Sequence, residues 1–153
     1  MNSLKKSSEV AKSSIARLII LGIIGGLVGM IVMDLVMVAE FLIMELPMYT
    51  YLELIGSVFG GGVTLGVITH ILLSIFLGLI FLALVFNIGF FRITTIRSGF
   101  ILGFLFGVVT IIGCVPFAII TGIPIVEILS FSTLPHLIFG ASCGLVVGYG
   151  LRK

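Results

Sequence analysis

The sequence predicts an all-α polytopic membrane protein, a compact bundle of four transmembrane helices. Three observations predict it. Of 153 residues, 60% are hydrophobic and only 9% charged, against roughly 25% charged in soluble domains. The apolar residues fall in four continuous runs, each near the ~20 residues a helix needs to cross a hydrocarbon core about 30 Å thick. The basic residues are confined to one set of connections between those runs. A mean hydropathy of +1.45 excludes a disordered chain, which combines low hydrophobicity with high net charge. Two cysteines without spacing partners exclude a disulfide framework or zinc ribbon.

Residues 1–17 form a Ser- and Lys-rich basic segment, expected frayed or helical along the inner surface, where its charge attracts anionic headgroups. Lys5 and Lys6 before an apolar run suggest a signal peptide. The run is too long for an h-region, however, and no small-residue cleavage site follows. The transmembrane domain then covers residues 18–153, with spans at about 18–41, 63–86, 99–120 and 134–151. Helices are expected in each, because the runs lack barrel alternation and backbone in lipid must satisfy itself internally.

Charge gives the orientation. Lys5, Lys6, Lys12 and Arg17 precede span one, Arg92 and Arg97 lie between spans two and three, and Arg152 and Lys153 follow span four. The opposite connections carry Glu45, Glu53 and Glu127 without a basic residue. The positive-inside rule places both termini in the cytoplasm, and the expected location is the plasma (inner) membrane of a prokaryote. The two opposite connections read as short interfacial segments. Tyr49 and Tyr51 suit the headgroup layer, Pro47, Pro124 and Pro135 mark edges, and Pro116 is expected to kink span three.

Spans two and four share a pattern: His70 with Ser74 and Gly78, His136 with Gly140 and Gly144, small residues standing at i+4 and i+8. The chain thus reads either as two duplicated hairpins related by an axis along the membrane normal, or as hairpins alike only through shared demands of lipid. Glycines recur every four residues: Gly22 and Gly26, Gly25 and Gly29, Gly62 and Gly66, then Gly99, Gly103 and Gly107, and Gly140, Gly144 and Gly148. Such spacing marks one helix face where backbones approach closely. Those faces serve internal packing, contact with another subunit, or both.

Ionisable groups inside spans are costly and mark functional candidates. Asp34 lies 17 residues past Arg17, about 25 Å along the helix. His70 and His136 fall at similar heights by the same rise, as does Cys114, with Glu40 nearer the outer surface. Each helix therefore contributes one polar group to a layer of Asp34, His70, Cys114 and His136. Three readings of it stand: a hydrogen-bonded network fixing register, a proton or cation relay, and a haem or metal site using His70 and His136. Cys143 lies deeper than Cys114, so a disulfide between them is not expected. Met30, Met33 and Met37 form a stripe that reads as apolar filling.

A glycine-rich first span (Gly25-Gly26-Leu27-Val28-Gly29 through Met33-Asp34), a His-led second span and His136-Leu-Ile-Phe-Gly140 opening the last resemble the YagU-like group of small four-helix inner-membrane proteins. The resemblance implies a four-span fold and supplies no activity or catalytic residues. No P-loop, nucleophile elbow or nucleic-acid-binding basic stripe is present. The leading expectation is a non-enzymatic protein without a resident cofactor. It would be a small subunit or assembly partner, packing on other membrane proteins or its own copies through glycine faces. The alternatives are a proton or small-solute transporter or channel using the Asp/His layer, and a haem- or metal-binding redox subunit.

Overall fold

The computed structural model describes residues 2–47, 49–87 and 93–152, with side chains described from Ile15 onward. Its elements are five helices, without a strand among the described residues: α1 (Asn2–Ile43), α2 (Thr50–Val58), α3 (Val63–Asn87), α4 (Ile96–Thr121) and α5 (Ile125–Gly150). Arg92 and Lys153, and the side chains of Lys5, Lys6 and Lys12, lie outside the described residues.

Four of the helices are long and apolar enough to cross a membrane. Between 22% and 44% of each span's most apolar stretch is buried inside the protein, so most of that apolar surface faces outward. A soluble protein rarely exposes such continuous patches; a bilayer is the environment that accommodates them. The basic segment is not a separate element, because α1 runs from Asn2 without a break. Its 42 residues reach about 63 Å at 1.5 Å per residue, roughly twice the core of a bilayer.

Helix ends follow local chemistry. Thr95 and Ser98 form a reciprocal capping box that starts α4. Gly122, at φ +69°, ends it in the left-handed conformation glycine adopts without strain. Pro124 follows at once, and here the structure corrects the sequence reading. Span four begins at Ile125 rather than near residue 134, and Pro135 lies inside α5, less than 2% exposed. Hydropathy hid this first part because it carries Glu127, Ser130, Ser132 and Thr133. Two of those hydroxyls donate back to the helix's own carbonyls, Ser130 to Glu127 and Thr133 to Leu129, so their polarity does not oppose helix formation. Pro116 likewise sits within continuous α4.

The packing order is α3, α1, α5, α4. α1 lies between α3 and α5, and α4 makes its main contact with α5. α2 folds back onto α3. On the remaining side α3 and α4 share almost no backbone contact, yet the rings of Phe81 and Phe106 meet at 5.2 Å. The termini share one end of the bundle, where Arg17 Nη2 donates to the Gly150 carbonyl at 3.2 Å. Phe139, Cys143 and Val147 of α5 are the most enclosed residues of the core, with Met33, Met37, Phe81 and Leu82 around them.

Glycines make this closeness possible. A side chain at Gly103 would fall on the Gly140 carbonyl, and one at Gly140 on that of Gly103. Gly99 and Gly144 exclude each other in the same way, and Gly107 has the His136 carbonyl within 2.6 Å of where a Cβ would stand. α1 uses two faces: Gly22 and Gly26 admit α3 at Ser74 and Gly78, while Gly25 and Gly29 admit α5 at Cys143 and Phe139. Gly66 meets the α2 backbone at Leu52. The four-residue glycine runs of α1, α4 and α5 are thus occupied between the chain's own helices.

Candidate functional site

Each hairpin builds one polar pair. In the first, Asp34 of α1 and His70 of α3 approach at 2.9 Å between Oδ1 and Nε2. A carboxylate oxygen accepts, so Nε2 of His70 carries the proton and donates. Tyr51 of α2 donates its hydroxyl to the same oxygen at 3.1 Å. His70 is buried, Asp34 half-buried, and the Tyr51 ring lies edge-on to the His70 imidazole. Burial first, and the adjacent Asp34 charge second, push the Tyr51 phenol well above its ordinary range. Phe41 stacks on the other side of Tyr51 and fixes its approach.

In the second hairpin Cys114 of α4 faces His136 of α5, with 3.6 Å between Sγ and Nε2. His136 Nδ1 lies 2.7 Å from the Ser132 carbonyl, and a carbonyl can only accept. Nδ1 therefore bears the hydrogen, and in the neutral ring Nε2 offers its lone pair to the Cys114 thiol. Thr110, one turn before Cys114, presents its carbonyl to the same thiol at 3.7 Å. A His on the second helix meeting a polar group on the first, over small residues at i+4 and i+8, occurs in both hairpins.

The two pairs share an open cavity of about 600 Å³ at the end of the bundle opposite the termini. Tyr51, His70, Cys114, Ser132 and His136 line it, among apolar walls that include Met33, Met37, Phe117 and Phe131. Asp34 stands behind Tyr51 and His70 and holds both. Below the histidines lies a void of about 40 Å³, bordered by His70, Ser74, His136 and Phe139, room for a water molecule or so. Ser74 uses its hydroxyl on the His70 carbonyl, and Phe139, Phe81 and Phe106 fill the space toward the termini.

Of the residues expected in the layer, His70, Cys114 and His136 line this cavity, Asp34 reaches it only through His70 and Tyr51, and Glu40 does not line it. Cys143 is wholly enclosed, against Gly25. Met33 and Met37 are core residues, yet they also form cavity wall. Tyr51 corrects the headgroup assignment: it turns inward to Asp34, while Tyr49 remains exposed. The chain turns after Ile43, beyond the polar layer, and α2 folds back toward it, so the Pro47 turn before Tyr51 was the available signal. Ser132 is the other unforeseen member, its Oγ buried without a hydrogen-bond partner. No three His, Cys, Asp or Glu side chains converge as metal ligands among the described residues.

Fold and site together define a multi-pass helical membrane protein with a polar-floored cavity. No protein-family model, curated protein or solved structure matches the chain.

Proposed function

We propose that this chain is a small transport protein that admits an amphipathic solute into the outer cavity and moves a proton through the Asp34–His70 pair. One observation carries the reading: histidines from both hairpins face one cavity of about 600 Å³, a volume within the range of small-molecule sites. A carboxylate–imidazole pair inside a span is a natural proton relay, and the void beneath it supplies the next position inward. The aromatic plug of Phe81, Phe106 and Phe139 then acts as the closed gate of an outward-facing state. Cytoplasmic termini and a prokaryotic plasma membrane belong to the same proposal, supported by the one-sided basic residues. A place in the YagU-like group belongs to the proposal too, supported by the Gly25–Asp34 residues, the His70-led second span and His136–Gly140. The glycine faces, one motive for reading the chain as a subunit, already pack within the chain at α1, α4 and α5, so we place transport first.

The test is proton flux in proteoliposomes carrying an internal pH dye. The intact protein is expected to dissipate an imposed gradient, with Asp34→Asn and His70→Gln each slowing it by about tenfold or more. Flux equal in the intact protein, both variants and empty vesicles overturns the proposal.

A further inference from the structure

The second polar pair has a chemistry that proton transfer does not use. A nucleophile requires a base within hydrogen-bond reach, and the base in turn needs a third group that fixes its tautomer. Cys114, His136 and the Ser132 carbonyl supply this sequence, at 3.6 Å and 2.7 Å. A fourth component is present as well. Ser132, one helical turn before His136, lines the same cavity, and its buried Oγ stands beside the Cys114 thiol, where it can turn to an oxyanion formed on an acyl group at the sulfur. The walls beside the thiol are apolar, with Phe117, Ile128 and Phe131 among them, and suit an electrophile attached to a hydrocarbon chain.

We propose that Cys114 is a nucleophilic thiol that accepts an acyl group from a lipid-like ester or thioester lying in the cavity. The Cys114 proton passes to His136 Nε2 as the sulfur attacks the acyl carbonyl carbon. A C–S bond forms, the bond from that carbon to the leaving oxygen or sulfur breaks, and the proton on Nε2 passes to the leaving group. Ser132 Oγ donates to the carbonyl oxygen in between. The product is an S-acyl chain seated in the cavity, with no change of oxidation state. This proposal needs the cavity but not transport, so either can fail without the other.

The protein contains its own control, for Cys143 is 0% exposed. Full-length protein in mild detergent is incubated with the p-nitrophenyl esters of octanoate and acetate, and adducts are located by peptide mass spectrometry. The expected result is one octanoyl adduct on Cys114 and none on Cys143, with octanoate reacting about tenfold faster than acetate. His136→Gln is expected to slow acylation about 100-fold. Should that variant also expose Cys143, its fold is lost, and Ser132→Ala decides instead, with a comparable loss expected. The proposal is overturned if Cys114 remains unmodified or reacts no faster than Cys143. A rate indifferent to His136→Gln in a folded variant, or to Ser132→Ala, overturns it equally, and an acetate rate matching octanoate removes the lipid-like donor.

Discussion

At the scale of residues, Asp34 governs the first hairpin because one of its oxygens receives both Tyr51 and His70. Removing the Tyr51 hydroxyl in Tyr51→Phe is expected to cost about 1–3 kcal/mol, read from unfolding in a detergent titration. The same residue carries a pH signature. Its folded pKa is raised above the ordinary value of 10.0, so its contribution is complete below pH 10 and declines as pH climbs toward the folded value. Tyr51→Phe should therefore lose less stability than the parent between pH 10 and 12. An identical alkaline loss in both proteins would remove the phenol from the account. The polar layer itself was legible in the sequence, since Asp34, His70 and His136 are conspicuous in apolar runs and helical rise gives their heights. The pairing was not. Rise fixes depth but not which way a side chain faces around the helix, so only the packing of the helices brings the two histidines to one space. Ser132 was invisible for another reason: serine is an ordinary helix residue, and only its missing partner sets it apart.

Among the elements, the glycine seams determine how near the helices stand. Gly103→Ala places a methyl against the Gly140 carbonyl, and overpacking of this kind costs about 1–3 kcal/mol. Gly113, on the same helix, has open space where a Cβ would stand, so Gly113→Ala should be neutral or stabilise by up to about 1 kcal/mol. Equal effects of the two substitutions on thermal stability would show that the seam is not tight. Long apolar helices over the first three expected spans were legible, with ends within about three residues of the helices' apolar stretches, because unbroken apolar runs leave little choice in lipid. The start of α5 was not, since Glu127 to Thr133 dilute its hydropathy while the hydroxyls of Ser130 and Thr133 bond back into the helix. The glycine pattern was equally visible, but periodicity reports a close contact without naming what is contacted. Gly25 and Gly29 prove to face α5, one position around the helix from the pair that faces α3.

For the whole molecule, the proposed topology of four spans puts both termini on one side of the membrane. In a background lacking Cys114 and Cys143, Arg97→Cys and Arg152→Cys should react with an impermeant maleimide from one face of sealed vesicles. Ser57→Cys and Val126→Cys should react only from the other, and mixed labelling would contradict the topology. The open fourth side of the bundle bears on how it moves. Each hairpin is locked internally by its own glycine seam, while α1 and α5 make the main contact between the two, α2 with α4 and α3 with α5 touch slightly, and Phe81 meets Phe106 across the gap. Such an arrangement works like a book: α1 and α5 form the spine, the hairpins are rigid covers, and the two phenylalanines are a clasp near the foot of the pages. Turning the covers about the spine separates α3 from α4 and widens the space between His70 and His136 without parting either seam. The cavity's volume is thereby tied to one angular coordinate, and a lipid tail wedged between α3 and α4 would set it.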